Sequence, residues 1–325
     1  NPFEHNGIKI FNGQGFKLSD ELEAQIEELI LSGAVEQIPL KTHDGIGRVI
    51  YADESARNDY IDHLVSTVPG GFSGLRILVD CANGASYTTA ARLFDRFPKL
   101  QTDVINADPD GVNINSHCGS THLEDLAAAV VRGGYDIGVA FDGDADRCLA
   151  VDEKGREIDG DKIIAILAKD LKDAGKLPED TAVVTVMSNL GFIEYMKQNG
   201  MKTAVTAVGD RYVLEEMRDK GYVIGGEQSG HIILLAHSTT GDGELTAGML
   251  LRTMAEKKCR MSELNDVYVR FPQVMVNIKA TPEEKARYKE DEYIAGFIES
   301  QQQSLMGLGR VLVRVSGTEA LSRIM

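Results

Sequence analysis

The sequence lacks a long hydrophobic run, and it is poor in positive charge. No stretch approaches the roughly 18 consecutive apolar residues that a membrane-spanning helix needs. Lys and Arg number 34 against 50 Asp and Glu, so the formal net charge is −16. Such a charge disfavours non-specific binding to nucleic acid or to an anionic membrane. We therefore expect neither nucleic acid nor a membrane as a partner. Any phosphate site must contain Arg and Lys side chains of its own.

Several common signatures are also missing. The four cysteines, Cys81, Cys118, Cys148 and Cys259, form no CxxC pair, which is typical of free thiols in a reducing cytoplasm. Neither a GxSxG motif nor a P-loop is present, so a triad hydrolase or an ordinary kinase has little support. The first residues, NPFEHNGIKIF, have no signal-peptide pattern. Because the chain starts at Asn1 and stops on the strand-like LSRIM, we expect both ends to be internal to a longer protein.

Strand and helix patterns alternate along most of the chain. LRILVDCANGAS is typical of a strand entering a turn before a helix, and TAVVTVMSNLGFIEYMKQNG repeats that layout. The alternation predicts an α/β fold of several domains, in which helices cover mixed sheets, followed from about Val267 by a smaller α+β domain. A chain of 325 residues also exceeds one ordinary core. The predicted segments are a domain remnant over residues 1–69, two α/β domains over 70–165 and 166–265, and an incomplete α+β domain over 266–325.

The most distinctive stretch is FDGDADRCLAVD, in which Asp142, Asp144 and Asp146 alternate and Arg147 follows at once. Carboxylates at this spacing in a tight turn can all face one centre, and their hard oxygens suit Mg²⁺ or Ca²⁺. An EF-hand loop is disfavoured, because Arg147 stands where that loop needs glycine and because the flanks are typical of strands. A solvated acidic turn remains an alternative. Three carboxylate ligands would leave positions open on an octahedral ion, which suits phosphate chemistry.

A second polar set lies in GGEQSGH, beyond a predicted strand. Glu227, Ser229 and His231 stand there at alternate positions, where they could present an acceptor, a hydroxyl and an imidazole to one polyol. The alternative is a polar surface turn. Lys9 in NGIKIF and the Asp210-Arg211 pair in VGDRYVLEEM, judged alone, are typical of solvated surface groups.

A third set lies near the end of the chain, in RVSGTEALSR. Arg314 and the hydroxyls of Ser316 and Thr318 accompany the backbone N–H groups around Gly317. That combination describes a phosphate-binding nest, in which the guanidinium supplies charge-assisted hydrogen bonds. The alternative is a turn between two strands.

Taken in this order, the three loops resemble those of the α-D-phosphohexomutase family over essentially the whole chain. NPFEHNGIKIF is similar to the continuation of that family's Ser-His-Asn-Pro active-site loop, DGDADR to its metal loop, GGEQSGH to its sugar-specificity loop and RVSGTE to its phosphate loop. EQSGH, together with PDGVNINSHCGSTH, VGDRYVLEEM, MSNLGF and TTGDGE, is similar to the branch that acts on glucosamine phosphates. The resemblance implies a multi-domain phosphohexomutase architecture.

The resemblance also implies a role for each matching residue. Asp142, Asp144 and Asp146 would hold one Mg²⁺ per chain, with a phosphoserine oxygen as a further ligand. Arg147 would steady the transferring phosphoryl group, and Lys9 is the candidate for proton transfer. His231 is implied as a polar or acid–base partner of the sugar. The residues implied in substrate binding are Arg211, Glu227, Gln228, Ser229, Arg314, Ser316, Gly317, Thr318 and Arg323.

The implied reaction is an isomerisation by phosphoryl transfer. A phosphoserine would phosphorylate glucosamine 6-phosphate to give glucosamine 1,6-bisphosphate, the intermediate and activator. The bisphosphate would turn around and return its 6-phosphoryl group to the serine, leaving glucosamine 1-phosphate. The implied setting is the cytoplasm and cell-wall precursor synthesis, with a sugar phosphate as the small-molecule partner and a homodimer left open. The reactive Ser and its His would precede Asn1, and Ala320 stands where the family has Pro. A phosphomannomutase/phosphoglucomutase and a non-catalytic sugar-phosphate-binding relative remain alternatives, because Gln228 favours the amino sugar without excluding the hydroxyl version.

Overall fold

The structure, a computed structural model, describes residues 3–5, 8–48, 54–68, 71–72, 74–288, 291–306, 309–315 and 321–325. It divides the chain into two compact units. The first comprises Asn1–Ser188 with Phe192–Tyr268, and the second comprises Asn189–Gly191 with Val269–Met325. The finer predicted boundaries at residues 69, 165 and 265 stay predictions. None of the described helices is both long and apolar enough to cross a bilayer.

Two helices, α1 (Asp20–Leu31) and α2 (Ser55–Thr67), precede the first sheet. Ser19 caps α1, since its side-chain oxygen accepts a hydrogen bond from the Leu22 N–H. The five-stranded sheet has the order β2–β1–β3–β4–β5. Strand β1 pairs in parallel with β2 and β3, whereas β3–β4 and β4–β5 are antiparallel. Its elements are β1 (Arg76–Asp80), α3 (Ala90–Phe94), β2 (Gln101–Ile105), α4 (Glu124–Gly133), β3 (Ile137–Phe141), β4 (Cys148–Asp152) and β5 (Glu157–Ile158).

The second sheet repeats this layout with the order β7–β6–β8–β9. Strand β6 pairs in parallel with β7 and β8, and β8 pairs antiparallel with β9. The predicted restart of the strand–helix pattern is thus confirmed. The elements are α5 (Gly160–Asp173), β6 (Thr181–Thr185), α6 (Leu190–Gln198), β7 (Lys202–Thr206), α7 (Asp210–Lys220), β8 (Ile224–Gly226), β9 (Ile232–Leu234), α8 (Gly243–Lys257) and α9 (Met261–Asn265).

One apolar core runs through both sheets. Strands β3, β4 and β6 are buried along their full length, as expected of strands that helices cover on both faces. Phe141 of the first sheet and Val184 of the second belong to the same cluster of buried side chains, which α5 and α8 complete. All four cysteines are free thiols, and Cys259 alone among them is partly exposed.

The second unit carries a three-stranded antiparallel sheet of order β10–β12–β11. Its elements are β10 (Val276–Lys279), α10 (Pro282–Tyr288), α11 (Glu292–Ser304), β11 (Val313–Val315) and β12 (Leu321–Ile324). This is the predicted α+β layout. No residue that the structure describes from Val269 onward is fully buried.

Candidate active site

Residues 142–147 form the tight connection between β3 and β4, here called the acidic loop. The Ala145 N–H donates to the Asp142 carbonyl at 3.0 Å, and Ala145 has a φ of 60°, so the chain turns through the left-handed region. The Arg147 N–H donates to Oδ1 of Asp142 at 3.2 Å. A Cβ on Gly143 would lie 2.7 Å from Nδ2 of Asn115, so a larger residue there would displace that side chain.

An ammonium group lies between two of the three aspartates. Nζ of Lys9 is 2.6 Å from Oδ2 of Asp144 and 2.9 Å from Oδ2 of Asp146. Partial burial acts to lower the pKa of Lys9, but the two carboxylates outweigh it and raise the pKa above its ordinary value. Burial acts to raise the pKa of Asp146, yet His231 and Lys9 hold it below its usual range. The pKa of Asp142 is raised by burial and by the neighbouring charge of Asp146.

The acidic loop fits a divalent cation by the chemistry of its donors. It offers carboxylate oxygens, the ligands that Mg²⁺ prefers, and a positive group already bridges two of them. Within the described residues, no three His, Cys, Asp or Glu side chains are arranged so that they could hold a metal ion. The assignment of Asp142, Asp144 and Asp146 as ligands therefore stays a prediction, with Lys9 as the cation that now neutralises Asp144 and Asp146.

Residues 227–231 connect β8 to β9 and are here called the sugar loop. Its backbone pairs directly with the acidic loop, because Arg147 and His231 form an antiparallel bridge and the Cys148 N–H donates to the Gly230 carbonyl at 3.0 Å. The Gly160 N–H, at the start of α5, donates to the Gln228 carbonyl at 3.0 Å. A Cβ on Gly160 would lie 2.1 Å from the Glu227 carbonyl oxygen, so this approach requires glycine.

The side chains of the sugar loop point in different directions. Oε1 of Glu227 accepts a hydrogen bond from the Gly209 N–H at 3.1 Å, whereas Ser229 is exposed to solvent. Nε2 of Gln228 lies 3.4 Å from Oδ2 of Asp159 and 3.3 Å from Oδ2 of Asp161. The Gln228 amide thus ties the sugar loop to the first turn of α5.

His231 is nearly inaccessible, with 3% of its surface exposed. Its Nδ1 is 3.6 Å from Oδ2 of Asp146, and its Nε2 is 3.4 Å from Oδ2 of Asp210. The Gly241 N–H donates to Nε2 at 3.2 Å. A Cβ on Gly241 would lie 2.5 Å from Cε1, so the ring is packed against backbone and held between two carboxylates.

Arg147 carries an unsatisfied guanidinium nitrogen. Its Nε is buried and has no hydrogen-bond partner in the part of the chain that the structure describes. Together with Asp142, Arg147 lines a cleft of about 450 Å³, which Phe3 and Ser116 border on other sides. A buried donor without a partner suits an anionic ligand, because the ligand would supply the missing hydrogen bond.

Arg211 and Asp210 are engaged with the N-terminal part of the chain. The Arg211 guanidinium binds the Leu18 carbonyl and the Asp20 carboxylate, and Nη1 lies 3.3 Å from Oε2 of Glu23. Lys17 forms an ion pair with Asp210. Burial acts to raise the pKa of Asp210, but Lys17 and then His231 hold it below its usual range. The substrate-binding role predicted for Arg211 stays a prediction, since the described contacts of its guanidinium are all within the protein.

The predicted phosphate loop belongs to the second unit. Arg314 on β11 stands opposite Arg323 on β12 in the antiparallel register. Their role in binding phosphate stays a prediction. Ser316, Gly317 and Thr318, with Ala320, lie outside the described residues.

Sequence reasoning missed the partners that hold the site together, notably Lys17, Gly241 and the contact of Asp210 with His231. A signal for Asp210 exists in the topology. The segment after β7 and the segment after β8 both leave the sheet at the carboxyl ends of parallel strands, where binding groups of α/β sheets converge. No comparable signal marks Lys17, because its partner is 193 residues away in the sequence.

Two family models match the chain. Residues 58–155 match "Phosphoglucomutase/phosphomannomutase, alpha/beta/alpha domain II", and residues 159–271 match domain III of the same description. Among curated relatives, the phosphoglucosamine mutase of Clostridium acetobutylicum is 51% identical over 325 residues, covering 100% of this chain and 72% of that protein. The phosphoglucosamine mutase of Acetivibrio thermocellus is 50% identical over 327 residues, with the same two coverages, 100% and 72%.

Solved structures show the same fold. N-acetylphosphoglucosamine mutase of Aspergillus fumigatus, in complex with GlcNAc-6P and magnesium, has a TM-score of 0.75 at 20% identity, covering 100% of this chain and 83% of that one. A phosphoglucomutase/phosphomannomutase family protein of Burkholderia thailandensis has a TM-score of 0.72 at 20% identity, covering 94% and 65%. These likenesses confirm the predicted fold class of helix-covered mixed sheets in several domains.

Proposed function

Because the chain belongs to the phosphoglucomutase/phosphomannomutase family, we propose that it functions as a phosphoglucosamine mutase. This enzyme is an isomerase that interconverts glucosamine 6-phosphate and glucosamine 1-phosphate. The observation that carries the proposal is the backbone bridge between Arg147 and His231, which joins the acidic loop to the sugar loop. Phosphoryl transfer to a sugar needs both loops in one site. The glucosamine substrate follows from relatives at about half identity, whose names disfavour a glucose- or mannose-phosphate mutase.

The protein's own residues would divide the work as follows. Mg²⁺ held by Asp142, Asp144 and Asp146, one ion per chain, would supply charge neutralisation for the transferring phosphoryl group. The Arg147 guanidinium, with its buried Nε, would bind an oxygen of that group. Lys9, which contacts the acidic loop, would exchange a proton near the reacting oxygen.

The sugar must also be held in two orientations. Glu227 and Ser229 would bind its hydroxyls, and His231 would act as a nearby polar or acid–base partner. Arg314 and Arg323, with residues 316–318 between them, would bind the phosphate that is not reacting, whichever end of the sugar carries it. Glucosamine 1,6-bisphosphate would be the intermediate and activator, and the phosphoserine that donates the phosphoryl group would precede Asn1. We place the enzyme in the cytoplasm, in synthesis of UDP-N-acetylglucosamine and the cell wall.

The substrate assignment is tested on the protein encoded by the complete gene, assayed with trace sugar bisphosphate and Mg²⁺. We expect a higher kcat/KM for glucosamine 6-phosphate than for glucose 6-phosphate. A higher value for glucose 6-phosphate would overturn the glucosamine assignment. A gene that encodes anything but Ser-His directly before Asn1 would overturn the mutase mechanism.

The metal assignment is tested by Asp144→Ala in the same protein. We expect turnover to fall by roughly 100-fold or more, because one carboxylate ligand of the cation is lost. Asp95→Ala is the matched control, since Asp95 is an exposed aspartate outside the site and its loss should leave turnover unchanged. Full activity in Asp144→Ala would show that the acidic loop does not bind the metal.

A further inference from the structure

Two lysines of one short segment bind carboxylates on opposite sides of His231. The segment, residues 9–17 and here called the lysine segment, folds back on itself through a bridge between Phe11 and Lys17. The Asn12 N–H donates to the Phe16 carbonyl at 2.7 Å, which closes the turn. Lys9, at one end of the segment, binds Asp144 and Asp146, and Lys17, at the other end, binds Asp210.

The two carboxylates that the lysines hold flank a single imidazole. Oδ2 of Asp146 is 3.6 Å from Nδ1 of His231, and Oδ2 of Asp210 is 3.4 Å from Nε2. The groups therefore form one continuous series, in the order Lys9, Asp146, His231, Asp210 and Lys17. The series links the acidic loop, the sugar loop, the start of α7 and the lysine segment.

Asp210 is fixed more firmly than an ordinary surface aspartate. It is the first residue of α7, and its Oδ1 accepts a hydrogen bond from the Arg211 N–H at 2.9 Å. Its Oδ2 binds Lys17 and faces His231. Both carboxylate oxygens are thus engaged, Oδ1 by the Arg211 N–H and Oδ2 by Lys17.

A third contact fastens the lysine segment beside Asp210. The Thr239 hydroxyl donates to the Gly15 carbonyl at 2.7 Å, and a Cβ on Gly15, whose φ is 81°, would lie 3.1 Å from that hydroxyl oxygen. The segment is therefore held at its middle as well as at both ends. Removing the Lys17–Asp210 pair should loosen one end while the Gly15 contact keeps the segment close.

We propose that Asp210 is a positioning residue for phosphoryl transfer. It presents a negative charge to the His231 imidazole and, through Lys17, holds the segment that carries Lys9 over the acidic loop. Asp210 contacts neither the acidic loop nor the cleft beside Arg147 among the described contacts, so it acts through His231 and Lys17. The expected effect on phosphoryl transfer rests on the proposed function, whereas the expected effect on the position of the lysine segment does not.

The structural arm is tested by hydrogen exchange on the complete protein. In Asp210→Asn, which keeps the shape but removes the charge, we expect amides of residues 9–17 to exchange roughly tenfold faster, because a charge-assisted contact at one end is lost. Asp219→Asn is the matched control, since Asp219 is exposed on the same helix and its substitution should change nothing. Unchanged exchange in Asp210→Asn would overturn the proposal whether or not the protein proves to be a mutase.

The catalytic arm is tested by kinetics with glucosamine 6-phosphate. We expect Asp210→Asn to lower kcat by about 10- to 100-fold with KM changed less than about threefold, because positioning affects the transition state more than ground-state binding. Lys17→Met should reproduce part of this loss, and Lys17→Arg should restore it. A wild-type protein without mutase activity would refute the proposed function, and the exchange result would still decide the structural role.

Double variants separate positioning from general destabilisation. If Asp210 acts through its two partners, Asp210→Asn should lower kcat by a smaller factor in a His231→Gln or a Lys17→Met background than in the wild type. An equal fall in kcat in all backgrounds, or an unchanged kcat in Asp210→Asn, would contradict the positioning role.

Discussion

At the scale of the residue, the most unusual group outside the proposed site is Glu244, in the first turn of α8. Only 1% of its surface is exposed. The Thr89 hydroxyl donates to Oε1, whereas Oε2 is buried without a hydrogen-bond partner among the described residues. Burial raises the pKa of Glu244 to about 8, with Thr89 opposing and Asp242 adding to the rise. Glu244 is therefore expected to be a neutral acid at pH 7.

This protonation makes stability depend on pH. Between the ordinary pKa of 4.5 and the folded value of about 8, the unfolded chain loses a proton that the folded chain keeps. Stability should then fall by up to about 1.4 kcal/mol per pH unit across this window as pH rises. Glu244→Gln binds no proton in either state, so its Tm relative to wild type should be higher at pH 8 than at pH 5.

The control for this measurement is Glu124→Gln, because Glu124 also lies in the first turn of a helix but is exposed. Its Tm difference from wild type should be the same at both pH values. A Glu244→Gln difference that does not change with pH would mean that Glu244 is ionised in the folded protein.

At the scale of the element, the start of α8 supports the acidic loop. The Gly243 N–H donates to the Ala145 carbonyl at 2.9 Å, so the first free N–H groups of the helix face the loop backbone. A Cβ on Gly243 would lie 2.4 Å from the Arg147 carbonyl oxygen. Since Gly243 and Gly241 both pack this closely, the glycines of TTGDGE set how near α8 lies to the acidic loop and to His231.

Gly243→Ala should therefore displace the acidic loop. We expect a loss of about 1–3 kcal/mol of stability, as for other overpacked sites, and a fall in kcat larger than the change in Tm alone explains. Gly296→Ala, inside α11 with no atom within 4 Å of the added carbon, should be neutral or stabilising. Thermal melts and steady-state assays of the two variants check this, and equal behaviour of both would contradict it.

The elements were largely predictable because their hydrophobic pattern is local. The strand at residues 181–185 and the helix at 243–257 both follow from runs of apolar residues with clear ends. The strands that flank DGDADR were also predicted, whereas the chemistry assigned to DGDADR and EQSGH stays a prediction. The bridge between Arg147 and His231 was not predicted, because pairing between residues 84 positions apart leaves no local signature. The contacts of Lys17 and Glu244 were not predicted for the same reason, since their partners lie far along the chain.

At the scale of the whole molecule, the two compact units differ in burial. The first has a continuous apolar core, whereas from Val269 onward no described residue is fully buried, and Val269 and Tyr293 are each 82% exposed. Segments with little buried surface open locally at low free-energy cost. The second unit should therefore be the less protected part of this chain.

Limited trypsin digestion of the 325-residue chain checks this difference. We expect cuts within residues 269–325, for example after Lys279 or Arg287, to precede cuts within residues 76–268. The rate should follow local opening, because cleavage needs an extended, accessible backbone. Earlier cleavage inside the two large sheets would show that burial does not set the order.

The pairing of the acidic and sugar loops has a consequence for protein engineering. A transplanted sugar loop that follows a different backbone path would break the Cys148-to-Gly230 and Gly160-to-Gln228 backbone hydrogen bonds. Backbone groups left unpaired in buried surroundings are costly. The unit to exchange is therefore both loops together with Gly160 and Gly243. These glycines, at the starts of α5 and α8, allow the loops to approach the helices. A change to the sugar loop in this scaffold therefore also involves the acidic loop, since their backbones are paired.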